Sequence, residues 1–226
     1  MAAARRTPAK RAVVVAERLT DAYPQAVCEL AHRNPFELLA ATILSAQTTD
    51  ARVNMVTPEL FARYPDAVAL AMADPAVVED IVRSAGFYQT KARSLISTAQ
   101  ALVERFDGQV PSALEDLVTL AGVGRKTANV VRSVAFRLPG LPVDTHVGRL
   151  SRRLGLTTED DPVKVETELG RFLPPAEWGD FSLRMILHGR RVCAAKKPQC
   201  AECTLEDVCP ASIMPRARSQ PERSPG

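Results

Sequence analysis

Four of the chain's five cysteines stand close together as Cys193-x6-Cys200-x2-Cys203-x5-Cys209. Four thiolates so near one another suit a metal centre, either tetrahedral zinc or a [4Fe-4S] cube, and the spacing by itself leaves both open. No secretory signal is read ahead of them, so the clustering points to ligation in a reducing compartment and not to disulfides. Cys28 stands apart and reads as a small apolar residue. A second constellation is Leu120-Ala-Gly-Val-Gly-Arg-Lys-Thr-Ala128. Gly122 and Gly124, one on each side of Val123, allow a tight hairpin, and the helix that follows opens with backbone N–H groups able to cradle a phosphate. A glycine-capped helix–helix turn fits the same letters. A P-loop does not, because the adjacent Gly-Lys-[Ser/Thr] and a preceding strand are missing. Lys126 lies just inside the helix. A free lysine has a pKa near 10.4, so fewer than about one in a thousand are neutral at pH 7. The positive end of a helix, the charge of Arg125 and some loss of hydration would favour the neutral amine that a nucleophile needs. On its own, however, Lys126 reads sooner as a phosphate-binding or solvated lysine. Asp144, in Val143-Asp144-Thr145-His146, reads on its own as the N-cap of a helix.

At the hairpin the chain resembles the helix–hairpin–helix DNA glycosylases, whose hairpin reads Leu-Pro-Gly-Val-Gly; Ala121 stands here in place of the proline. The cysteine spacing, with Ile-Leu-His-Gly-Arg at 186–190 before it, resembles the cluster loop of the endonuclease III family. The likeness extends from about Ala26 to Pro210. It implies a bifunctional DNA glycosylase/AP lyase of base excision repair acting on oxidised pyrimidines, with Lys126 as Schiff-base nucleophile. Asp144 would stabilise positive charge developing on the sugar. An ionised Asp144 close to the lysine would also favour the protonated amine, against the helix dipole. The resemblance turns the cysteines into ligands of a [4Fe-4S] cluster, with Arg190, Arg191, Lys196 and Lys197 as a basic face towards phosphates. Leu44-Ser-Ala-Gln-Thr-Thr-Asp50 resembles the loop whose glutamine fills the gap in the duplex, which maps to Gln47. Gly86-Phe-Tyr-Gln-Thr-Lys-Ala92 resembles the wedge loop, which maps to Phe87. Such devices serve enzymes that must extrude a nucleotide before reaching its sugar. Taken singly, Phe87 is more often a core aromatic. Gly122, Val123, Gly124 and Arg125 are expected at the DNA backbone; His146 and His188 could touch phosphate or support structure, and neither is given a role.

The elements that must position these groups read as helices. The 226 residues are 46% apolar but only 5% aromatic, which favours helices packed on helices, an all-α fold. Asn34-Pro35 and Asp74-Pro75 start helices; another spans Lys91 to Phe106 and closes at Asp107-Gly108. Ser112 and Glu115 read as a capping box, helical spacing resumes from Arg125 to Arg137, and Asp161-Pro162 and Trp178 to Arg190 form the last helices. The expected organisation is a six-helix domain at 26–138 and a cluster domain from 1–25 and 139–212, with DNA in the cleft between them and Lys126 facing Asp144. Residues 213–226, rich in Arg, Ser and Pro, are expected to be a disordered tail.

A net charge of +3 is compatible with nucleic acid without requiring it. No apolar run approaches the roughly 18–20 residues that span a bilayer. The expected partner is double-stranded DNA with damaged bases or abasic sites, bound by a monomer in the cytoplasm at the nucleoid, with no membrane. The first sixteen residues lack acids, so an organellar leader stays open, although Val14, Arg18 and Leu19 read as an amphipathic helix. Three rivals remain. An adenine glycosylase would lack the hairpin lysine and carry a further C-terminal domain, and a monofunctional thymine-mismatch glycosylase also lacks that lysine. A non-catalytic damage binder with a structural metal would keep the hairpin and cysteines without needing Lys126 and Asp144 together.

Overall fold

The computed structural model describes residues 7–214. Apart from Ile213 and Met214, the expected tail lies outside the described residues, as do residues 1–6 of the basic N-terminus. In chain order the helices are α1 (Pro8–Ala22), α2 (Pro35–Leu44), α3 (Asp50–Arg63), α4 (Ala67–Ala71), α5 (Pro75–Val82), α6 (Tyr88–Phe106) and α7 (Leu114–Leu117). There follow α8 (Arg125–Ala135), α9 (Thr145–Arg153), α10 (Pro162–Gly170) and α11 (Trp178–Arg191). Short 3-10 turns occupy Arg83–Ala85, Pro175–Glu177, Cys200–Glu202 and Glu206–Val208. Among the described residues there is no strand, so the fold is all-α. Nor is any of these helices long and apolar enough to cross a membrane.

By its internal contacts the chain divides into two units. One comprises Val27–Pro142 and Pro175–Asp180. Its centre is α2, which touches α3, α6 and α8 and buries Leu38, Leu39, Ala41 and Leu44 almost completely. A helix covered on so many sides has little room for polar groups. Its one buried acid, Glu37, is matched by the backbone N–H of Arg33 at 2.7 Å and by Arg33 Nε at 2.8 Å. Asn34 caps the helix, as expected, by accepting from the Glu37 N–H. Along α6, Ala92, Leu95, Ala99 and Leu102 repeat at helical spacing and face α4 and α5.

One helix lies where the sequence reading placed none, and two details depart from it. The helix α3 forms although Pro58 lies within it. The helix α6 begins at Tyr88 and not Lys91, because Phe87 at its N-cap takes the left-handed conformation. The capping box of Ser112 and Glu115 does not form: α7 is a single turn with Ala113 at its N-cap and no side-chain cap bond. Ser112 therefore sits one residue too early, with its carbonyl accepting from Arg132 Nη1 at 2.5 Å.

The other unit comprises the segment ending at Ala26, Val143–Pro174 and the chain from Phe181 onwards. Ala12, Val15 and Leu19 of α1, Val147 and Leu150 of α9, Val165 and Leu169 of α10, and Phe181 and Met185 of α11 are all essentially buried. Arg11 is also buried and donates to the carbonyls of Leu154 (3.1 Å) and Gly155 (2.7 Å) just beyond α9. These carbonyls have no partner inside the helix and need a donor. The cysteine-bearing segment follows α11 and is pinned by fully buried Leu205 and Val208.

Candidate functional site

In the first unit the hairpin forms between α7 and α8. Gly122 has φ +74, and a Cβ there would stand 2.9 Å from Ser94 Cβ, so conformation and close approach to α6 both demand glycine. Ala121, in the place of the family's proline, is held instead by Thr98 Oγ1, which donates to its carbonyl at 2.7 Å. Val123 is 5% exposed and its N–H bonds the Leu120 carbonyl at 3.1 Å. Its side chain therefore anchors the turn in the core, while Gly122, Gly124 and Arg125 lie at the surface. Gly124 is the N-cap of α8, in extended conformation and without a side-chain cap bond, so no side chain of the capping residue stands in front of the first turn. Lys126 is the second residue of α8, as expected, but it is exposed. The loss of hydration considered for it is not there.

Gln47 and Phe87 occupy two loops of the same unit. Both are exposed, and both adopt left-handed conformations rare outside glycine, with φ 54 and φ 47. Strain of this kind persists only where the surroundings impose it, often at functional loops. Phe87 is 68% exposed, which removes the core-aromatic reading. Between the loops lies a residue that the sequence did not single out. Lys91 is only 5% exposed, and its ammonium donates to Thr48 Oγ1 and to the Ala85 carbonyl, each at 2.7 Å. The Thr48 hydroxyl also donates to the Ala85 carbonyl. Burial holds the Lys91 pKa below its ordinary value. Its letter stood in the wedge motif, but nothing in one sequence marks a lysine as buried.

In the second unit Asp144 is half-buried and caps α9, with Oδ1 accepting from the Val147 N–H at 2.8 Å. Cys193, Cys200, Cys203 and Cys209 all line one cavity of about 230 Å³. Arg153 Nη1 donates to Cys193 Sγ at 3.3 Å and to the Ala194 carbonyl at 2.8 Å, and the Leu205 N–H reaches Cys203 Sγ at 3.4 Å. Among the described residues no three His, Cys, Asp or Glu side chains converge as they would around a single ion. Burial pushes the Cys203 thiol up to about 11 and raises that of Cys209 as well. A metal entering there must displace protons. His188 is buried between the Tyr23 hydroxyl (3.0 Å from Nδ1) and Cys203 Sγ (3.4 Å from Nε2), a supporting place and not a phosphate contact. Burial lowers its pKa to about 4, so it is neutral there. His146 Nδ1 lies 3.2 Å from Arg149 Nη2. Arg190, Arg191, Lys196 and Lys197 are exposed, the Arg191 guanidinium lying 6.0 Å from the centre of the Tyr23 ring.

Over residues 40–175 the chain matches the family described as HhH-GPD superfamily base excision DNA repair protein. It is 51% identical over 204 residues to the endonuclease III of Synechocystis sp., covering 90% of this chain and 93% of that one. A solved non-covalent endonuclease III–DNA complex superposes with a TM-score of 0.86 at 42% identity, covering 90% of this chain and 95% of the other. A trapped covalent endonuclease III–DNA intermediate gives the same TM-score at 43% identity, covering 90% and 96%.

Proposed function

The chain belongs to the HhH-GPD superfamily of base excision DNA repair proteins and, within it, to the endonuclease III family, and on that premise we propose how its residues carry out glycosylase and AP lyase chemistry. The observation that carries the proposal is Lys126, exposed in the first turn of α8 directly after the glycine hairpin. A phosphate held by the hairpin N–H groups brings the neighbouring deoxyribose within reach of that amine. Gln47 fills the space left by an extruded nucleotide and Phe87 supports the opened stack. Arg125, Arg190 and Arg191 neutralise phosphates.

The neutral Lys126 amine attacks C1′ and the glycosidic bond breaks, the base leaving with the bonding electron pair. Asp144 stabilises the positive charge that develops on the sugar. Loss of the amine proton and opening of the sugar ring give an imine, which acts as electron sink. A C2′ proton is then removed and the 3′ phosphate departs, nicking one strand; water releases the lysine. Oxidised pyrimidines are the substrate class that this reading assigns, in double-stranded DNA bound by a monomer in the cytoplasm.

Four sulfur donors around one cavity suit a sulfide-bridged [4Fe-4S] cluster better than zinc, whose thiolates meet at about 2.3 Å from a single ion. Cys193, Cys200, Cys203 and Cys209 would hold it, and when bound it would cross-link the segment that follows α11. Incubation with DNA carrying one abasic site tests the reading: strand cleavage is expected. Binding without cleavage would identify a damage-binding protein instead.

A further inference from the structure

Gln47 and Phe87 sit on separate loops, yet one buried side chain touches both. The Lys91 ammonium bonds Thr48, the residue directly after Gln47, and the Ala85 carbonyl, two residues before Phe87. Its own backbone N–H donates to the Phe87 carbonyl at 3.0 Å. Neither acceptor of the ammonium is charged, so burying this cation gains little stability. Replacing even a buried ion pair by apolar side chains of similar volume is often neutral or stabilising, and a lone buried cation has no opposite charge to offset its desolvation. The Ala85 carbonyl would keep the Thr48 hydroxyl as donor after such a change. A lysine is therefore not needed here to keep the fold. What it provides is a rigid three-way joint with two directional bonds of equal length.

We propose that Lys91 is a positioning residue that fixes the spacing between the Gln47 and Phe87 loops, so that both enter the base stack together. This rests on the reading that the two loops act on DNA. A duplex offers successive base steps about 3.4 Å apart. A shift of about 1 Å in a positioned group can lower a rate by roughly a hundredfold. The joint matters only while the enzyme must open an intact stack; on DNA already unstacked the loops have no work to coordinate.

The test uses single-turnover cleavage at an abasic site placed in fully paired duplex or inside a mismatched bubble. Lys91→Met is expected to lose roughly ten- to a hundredfold on the duplex and much less in the bubble, with its melting temperature unchanged or raised. Phe87→Ala should show the same split, and the double variant should be no slower than the slower single, because the two act through one event. Thr48→Val, which removes one arm of the joint, should shift the same ratio in the same direction, and it carries the test if Lys91→Met does not fold. If Phe87→Ala shows the split while Lys91→Met loses equally on both substrates, or if the losses multiply, Lys91 does not couple the loops. If Phe87→Ala itself loses equally on both, the reading of the loops is wrong, and the proposal falls with it.

Discussion

Replacing Gly122 by alanine places a methyl group 2.9 Å from Ser94 Cβ and 3.1 Å from Ser94 Oγ, on backbone at φ +74. The left-handed conformation costs about 1–2 kcal/mol for a residue with a side chain. Forcing a methyl into a filled contact adds about 1–3 kcal/mol, and Ser94, fixed on α6, has little freedom to retreat. A total of about 3 kcal/mol lowers Tm by roughly 6–12 °C in a protein of this size. Gly124 differs in both respects: its φ is −86, and nothing lies within 4 Å of the built Cβ. Alanine there costs at most about 1 kcal/mol, as a poorer N-cap, or roughly 2–4 °C. Its methyl would, however, stand where the proposed phosphate contact with the α8 N–H groups is made. Thermal denaturation followed by circular dichroism, with titration of abasic duplex, separates the two. Gly122→Ala should melt early, whereas Gly124→Ala should melt near the parent and bind DNA more weakly. Equal losses of Tm, or a Gly122→Ala protein as stable as the parent, would show that contact with Ser94 does not require glycine at 122.

Asp144→Asn keeps an equally good N-cap, so stability should change by no more than a few tenths of a kcal/mol. Base excision should fall far more than cleavage at a preformed abasic site; equal losses would leave Asp144 as a cap alone. The three phosphate contacts proposed for Arg125, Arg190 and Arg191 imply that log K falls with log salt at a slope of about −2.7, roughly fortyfold in affinity between about 50 and 200 mM. A salt-independent affinity would count against them. The purified protein should be brown, with broad absorbance near ~400 nm and stoichiometric iron and sulfide. Zinc in place of iron in carefully prepared protein would overturn the cluster assignment.

The most legible parts of the chain were those where a residue type reports its own backbone task. Asn34, Asp74, Asp144 and Asp161 each cap the helix assigned to them, because short polar side chains satisfy N–H groups that the helix cannot. Gly122 and Gly124 betrayed the hairpin for the same local reason. Where tertiary packing overrules local preference, legibility ended. Helix α3, with Pro58 inside it, was not read at all, and α6 starts early because the loop before it forces Phe87 into a conformation its type disfavours. Burial was the other blind spot: Val123 turns inward, Lys126 outward, and Lys91 disappears beneath two loops. None of these directions follows from letters. For the cysteines, spacing named the donors but not the volume between them, and that volume bears on the choice between zinc and a cube.

In the proposed mechanism Lys126 is the nucleophile. Borohydride added during turnover reduces an imine to a stable amine and so captures the enzyme on its DNA. The parent protein should be trapped on abasic duplex. Lys126→Gln should give no adduct while keeping most of its affinity for the same DNA, since it removes one charge among several. Full trapping by Lys126→Gln would show that another amine does the chemistry.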